Sequence, residues 1–282
     1  MLAMTTDFHG TSRVGADVKG TLAKIAKAGY SHIHWCHEWT GAYLYSAHEM
    51  LQIREWCDEL GLKVKGLHAS SGEKKSDLKD YASLNDFNRL AGVELIKNRV
   101  DLAYTLDAEA IVLHLIVHVN DGEELREEHL RPVLKTLDEL EPYCKTRHIK
   151  LCIENGGGPV WERALDTFFE RYDKDYLGLC FDTGHAYLDG KENCLQYAQR
   201  YNDRIFMIHT HDNHGERDEH ILPFRGDFDW EGFARFLARS PFTLPIVIEA
   251  YPGPGEEGDD MAWLKMGIEA GNRLTAMVTQ YR

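Results

Sequence analysis

The 282-residue chain contains no long uninterrupted apolar run, no paired-cysteine motif and no basic arm. Its longest apolar stretch, from Ile111 to Val119, is broken by His114 and His118 and falls well short of the ~20 residues a membrane-spanning helix needs. No transmembrane segment and no membrane partner are expected. Residues 1–10 lack a basic region followed by an apolar block, so the sequence predicts no export signal and a cytoplasmic location. The six cysteines (Cys36, Cys57, Cys144, Cys152, Cys180 and Cys194) form no C-x-x-C pair, and Cys152 and Cys180 fall inside apolar runs. They read as reduced, mostly structural thiols. Lys and Arg total 32 against 46 Asp and Glu, a formal charge of -14. That excess repels a phosphate backbone, which disfavours nucleic acid as a partner. Low-complexity stretches, residue-level repeats and Pro/Ser-rich linkers are also missing, which argues against a string of separate modules.

Hydrophobic residues make up 43% and charged residues 28%, an ordinary balance for a globular chain with a sizeable core. Short β-branched or apolar runs recur at an even interval, over 2–6, 32–35, 63–67, 110–113, 150–153, 177–181, 205–208 and 245–248. Segments with helical spacing follow them, over 18–28, 47–60, 85–106, 124–144, 160–172, 230–238 and 261–278, with 191–200 as a shorter sixth helix. Leu51, Trp56 and Leu60 illustrate the apolar stripe such a helix lays on a sheet. Gly29 and Gly61 stand where left-handed caps release the chain into the next strand. Eight strand–helix units in about 250 residues predict a single (β/α)₈ barrel spanning 1–282.

In such a barrel the carboxyl ends of the strands share one mouth, where the chemistry sits. The strand ends read His68, His114, Glu154, Asp182 with His185, His209 and Glu249. Isolated charges at the end of buried runs are costly to desolvate. A divalent cation compensates them and keeps clustered carboxylates ionised. Mixed Asp, Glu and His donors suit Mn, Co, Zn or Mg, and more than one ion per chain is allowed by the number of donors. Asp218 and His220, two apart in the segment after the seventh strand, can reach back over the mouth, and His211, Asp212, Asn213 and His214 are polar neighbours that can orient a ligand or the substrate.

C-I-E-N at 152–155, F-D-T-G-H at 181–185, H-x-x-D at 209–212, D-x-H at 218–220 and I-E at 248–249, in this order, resemble the xylose-isomerase-like TIM barrels. That superfamily includes sugar and sugar-phosphate isomerases and epimerases together with the endonuclease IV family, and the likeness covers most of the chain. The isomerase and epimerase branch implies one metal held by Glu154, Asp182, His209 and Glu249, with Glu154 and Glu249 as proton-transfer groups on a small polyhydroxy carbonyl compound and His185 touching a substrate oxygen. Lyase or dehydratase chemistry would begin in the same way. The endonuclease IV branch implies a three-zinc cluster, whose positions match His68, His114, Glu154, Asp182, His185, His209, Asp218, His220 and Glu249. Relatives commonly form homo-oligomers, so one is expected here too.

Two departures weigh on the choice. A Gly-Glu-Gly-like turn is expected after D-x-H, and Pro223-Phe224-Arg225-Gly226 stands there instead. Arg225 is open to two readings, an anchor for a substrate anion or a partner of Asp227. The chain also lacks clustered cations interleaved with aromatic wedges for gripping a kinked duplex, which places abasic-site cleavage second.

Several residues keep a bland reading beside the functional one. His68 and His114 are either ligands or histidines bonded to a neighbour, Asp218 and His220 either ligands or solvated loop residues, and Asp182 either a ligand or a helix cap. Trp35 or Trp39 is a stacking surface for substrate, or simply packing. His9, His118 and His148 have no partner pattern. Gly156-Gly157-Gly158 lacks the Lys-Ser/Thr of a nucleotide loop.

Overall fold

Eight parallel strands close on themselves in sequence order, each pairing with the next and β8 returning to β1. The computed structural model describes residues 1–8, 17–70, 80–119, 124–156 and 158–282; His9 and Gly157 lie outside them. The strands are β1 (Leu2–Thr5), β2 (His32–Trp35), β3 (Lys63–His68), β4 (Ala110–His114), β5 (Lys150–Glu154), β6 (Leu177–Asp182), β7 (Ile205–Thr210) and β8 (Ile246–Ile248). The helices around them are α1 (Val18–Ala28), α2 (Ala47–Leu60), α3 (Asp86–Thr105), α4 (Glu127–Arg147), α5 (Pro159–Arg171), α6 (Thr183–Gly190), α7 (Gln196–Arg200), α8 (Trp230–Arg239) and α9 (Asp260–Gln280). This is the (β/α)₈ barrel the alternation predicts. Gly29 (φ 109) and Gly61 (φ 68) cap α1 and α2 in the left-handed region as expected. Among the described residues no helix is long and apolar enough to cross a membrane.

The period of two along each strand decides where chemistry can sit. One phase (Leu113, Ile153, Phe181, Ile208 and Ile248) packs outward into the main core under the helices, where each large side chain contributes about 1.5–3 kcal/mol by burial. The other phase fills the barrel with small or slender side chains: Ala110, Val112, Cys152, Cys180, Met207 and Val247. Two residues beyond these interior positions stand His114, Glu154, Asp182, His209 and Glu249. The inward phase therefore delivers all five to the carboxyl mouth.

Four strands run one residue further than the hydrophobic pattern suggests, to include His68, His114, Glu154 and Asp182. The sixth helix corrects the expectation over 191–200. Helix α6 begins at Thr183, directly after β6, because the Asp182 side chain accepts the His185 backbone N–H at 2.7 Å and caps it. A 3-10 turn (Lys191–Asn193) and the short α7 follow.

Candidate metal centre

The C-I-E-N and F-D-T-G-H motifs are locked to one another. Asn155 accepts the Asp182 backbone N–H at 2.7 Å and donates to the Asp182 carbonyl at 3.0 Å. Asp182 is thus held by a neighbouring strand's loop while its Oδ1 caps α6, so the cap and the ligand readings are compatible. Its Oδ2 has no hydrogen-bond partner.

Glu154, Asp182, His209 and Glu249 each offer a ligand atom within 4.8 Å of the others, and all four side chains are buried. His209 Nδ1 lies 2.6 Å from Glu249 Oε2 and 3.3 Å from Glu154 Oε2. These three atoms nonetheless make no hydrogen bond of acceptable geometry. The distance and the angle disagree, and the angle is the more informative. Lone pairs converging on a common point, rather than a donor aimed at an acceptor, is how ligands of a shared cation are disposed. Three carboxylates in a dry interior would cost several kcal/mol each if unpaired. Burial alone would raise the Glu154 and Glu249 carboxyls, but the imidazoles His114 and His209 for the first, and His209 and His68 for the second, hold both well below their usual range. Burial opposes charge on His209, yet Cys180, Glu249 and Glu154 together raise it well above an ordinary histidine. A proton on His209 thereby stands in part for a cation. The donor set and its unsatisfied atoms fit a divalent metal.

A second group, His68, His114 and Glu154, adjoins the first through the shared glutamate. His114 Nε2 is 3.4 Å from Glu154 Oε2, and His68 Nε2 is 3.4 Å from Glu249 Oε1. Trp39 stacks on His68 and tilts against His114, its indole N–H donated to Asp7 Oδ2 at 3.0 Å. The backbone at Glu38 has φ 58, and its carbonyl accepts from the buried Arg99 at 3.0 Å, which sets the turn that presents Trp39. A cavity of about 210 Å³, lined by His114, Glu154, Asn155, Gly156, Trp161 and His185, opens on this group.

The third group comprises His185, His211, Asp218 and His220. All nine positions matched to the multi-zinc branch therefore fall into three adjoining groups.

Two substrate-binding expectations are corrected. Trp35 points outward from β2 into the core, 1% exposed, and donates its indole N–H to Tyr45 Oη at 3.1 Å; it cannot face a sugar in the mouth. Arg225 is committed to Glu256 at 2.5 Å and to Met266 Sδ at 3.3 Å, none of them in the three groups, and not to Asp227. Arg225 is therefore neutralised locally and gives no anchor for a substrate anion. His118 pairs with Asp80, and His148 is the left-handed cap of α4. Asp212 binds the Trp230 indole N–H and fixes the start of α8.

Sequence reasoning missed Trp161, whose first-turn position on α5 gave no signal, and Asp7, one carboxylate among many. It named His211 only as a polar neighbour. The His34 ring lies inside the barrel with its centroid 4.7 Å from that of His209 and 5.3 Å from that of His68.

A family model described as "Xylose isomerase-like TIM barrel" matches residues 22–266. The uncharacterized protein y4fM of Sinorhizobium fredii is 32% identical over 253 residues, covering 82% of this chain and 80% of that protein. A probable endonuclease 4 of Halobacterium salinarum is 24% identical over 208 residues, covering 67% of this chain and 72% of that protein. Among solved structures, a D-tagatose 3-epimerase-like protein superposes with a TM-score of 0.76 at 21% identity, covering 99% of both chains.

Proposed function

Since this chain belongs to the xylose isomerase-like TIM barrel family, we propose that it is a divalent-metal-dependent isomerase or epimerase of a small polyhydroxy carbonyl compound, such as a keto-sugar or an inositol derivative. The observation that carries the reading is the placement of Glu154 at the end of β5 and Glu249 directly after β8 to either side of His209, at 3.3 and 2.6 Å from its Nδ1. The likeness to a D-tagatose 3-epimerase-like protein supports it.

Glu154, Asp182, His209 and Glu249 would hold the metal. A Mn, Co, Zn or Mg ion, when bound, polarises adjacent carbonyl and hydroxyl oxygens of the substrate and makes the α-proton more acidic. One glutamate, Glu154 or Glu249, removes that proton and leaves an enediolate. For epimerisation the other glutamate returns a proton from the opposite face; for isomerisation the same glutamate returns it to the neighbouring carbon. Both carboxyls are held ionised, the state a base requires. His185 was expected to touch a substrate oxygen. Its Nδ1 hydrogen-bonds the Asn155 carbonyl at 3.0 Å and its Nε2 faces Asp218, which leaves the ring on the wall of the cavity beside Glu154. Trp161 lines the cavity beside Glu154, and Trp39, packed on His68 and His114, would offer a second ring on which a sugar can stack.

The second and third donor groups favour a second reading, a multi-metal phosphodiesterase acting on abasic DNA, supported by the likeness to a probable endonuclease 4. The formal charge of -14 weighs against a polyanionic substrate. One experiment separates the two. The metal-loaded protein is incubated in D₂O with a panel of ketoses and inososes, and separately with an abasic duplex. Deuterium at an α-carbon is the expected result; cleavage of the duplex without any exchange would overturn the isomerase reading.

A further inference from the structure

The third donor group contains one imidazole more than the family resemblance implies. His185 and His220 both rest Nδ1 on a backbone carbonyl, Asn155 O at 3.0 Å and Glu249 O at 3.0 Å. A carbonyl partner requires the proton on Nδ1, so each neutral ring keeps its lone pair on Nε2. Both Nε2 atoms face Asp218 Oδ2, at 3.2 and 3.0 Å. Metal-binding histidines are oriented in this way by an acceptor on the far nitrogen.

His211 completes the group. It is fully buried, and neither ring nitrogen makes a hydrogen bond, an arrangement that is costly unless a ligand satisfies it. Its Nε2 lies 3.0 Å from Asp182 Oδ1 and 3.8 Å from Asp218 Oδ1, and its ring lies nearly parallel to that of His220, with centroids 3.9 Å apart. The F-D-T-G-H motif is shaped around this imidazole. The Thr183 hydroxyl donates to the His211 carbonyl at 2.7 Å and accepts its N–H at 3.1 Å. A Cβ on Gly184 would stand 1.9 Å from His211 Cε1, so only glycine admits the ring. Ligand atoms of His185, His211, Asp218 and His220 all lie within 4.8 Å of one another.

We infer that His211 is the fourth donor of a closed, structural zinc-type site that fastens the segment between β7 and α8 to the start of α6. Three imidazoles and one carboxylate suit zinc, and four protein donors leave no open position for water or substrate. The carboxylate-rich centre around Glu154 and Glu249 is left as the reactive one. The inference does not rest on the isomerase reading, because metal retention is measured without substrate.

The test loads the full-length protein with zinc, counts zinc per chain and follows its release to a chromogenic chelator. One zinc per chain is expected to leave at least ~10-fold more slowly than any other, in line with the cost of disturbing a ligand set. His211→Asn abolishes this slow fraction. Gly184→Ala, which keeps the imidazole but displaces it, does the same. After cobalt loading and brief chelation, the cobalt that remains in the wild-type protein shows the intense absorption of a four-coordinate ion. A slow fraction that survives His211→Asn overturns the inference. So does a wild-type protein with no slow fraction, or with only weak six-coordinate absorption, and these two outcomes hold even if neither variant folds.

Discussion

Trp39 stacks on the His68 imidazole with ring centroids 5.0 Å apart and 25° between planes, at the edge of the carboxylate centre. Trp35, four residues earlier, is sealed in the core on the other side of the strand. The two tryptophans should separate cleanly on mutation. Trp39→Ala is expected to raise KM about tenfold, the loss of roughly 1.4 kcal/mol of ring contact with substrate, and to cost about 1–3 kcal/mol of stability because buried Asp7 Oδ2 loses its indole donor. Trp35→Ala is expected to cost about 3–5 kcal/mol of stability and to leave KM of the folded fraction near wild type. Steady-state kinetics and thermal unfolding of both variants check this; equal KM effects would remove Trp39 from the site.

The same pair shows what sequence could and could not disclose. In β4 to β8 a continuous apolar run ends in His or acid, so the donors were legible from the strand ends. In β2 the alternation His32-Ile33-His34-Trp35 carries the phase, with His34 inward beside His209 and Trp35 outward in the core, but the strand ends on the outward Trp35, so reading strand ends alone picked the residue on the wrong face. His211 was illegible for another reason. Its role depends on Thr183 and Gly184, which lie near it only once β6 and β7 are paired. Gly184 also concealed the start of α6, since glycine in a first turn reads as a loop, and the space it leaves is needed for His211. Arg225 stood where an acid was expected, and nothing local pointed to Glu256 as its partner.

Replacing either central glutamate by its amide keeps the shape and removes the base. Glu249→Gln and Glu154→Gln should each lower the rate of solvent deuterium exchange by about 10²–10⁴, the usual contribution of a positioned general base. Circular dichroism should be unchanged. Exchange at the wild-type rate in either variant would take that residue out of proton transfer.

Stripping the metal should loosen the mouth of the barrel, because buried carboxylates and imidazoles lose the charge that reconciles them. At a free metal concentration of 100–1,000 times Kd, binding contributes roughly 3–4 kcal/mol, which for a chain of this size corresponds to a Tm shift of about 10 °C. Calorimetry before and after chelation, with recovery on adding back Mn, Co, Zn or Mg, measures it. A Tm indifferent to chelator and to all four ions would mean that the cluster does not hold metal.

Asp7 gives a pH signature in the metal-free protein. Burial first, and the nearby Glu249 charge second, push its carboxyl up to about 6 from the ordinary 3.8, against the Trp39 hydrogen bond that favours ionisation. The folded state therefore holds this proton more tightly than the unfolded chain. Its contribution to stability is intact below pH ~4 and is lost as pH rises through ~6, a difference of about 3 kcal/mol for two pH units. Asp7→Asn has no carboxyl to ionise, and its amide oxygen can still accept the Trp39 N–H. Urea unfolding of the chelated proteins should show the variant gaining on wild type by about 3 kcal/mol between pH 4 and pH 7.5. A difference constant across that range would mean Asp7 titrates normally and carries no strain from Glu249.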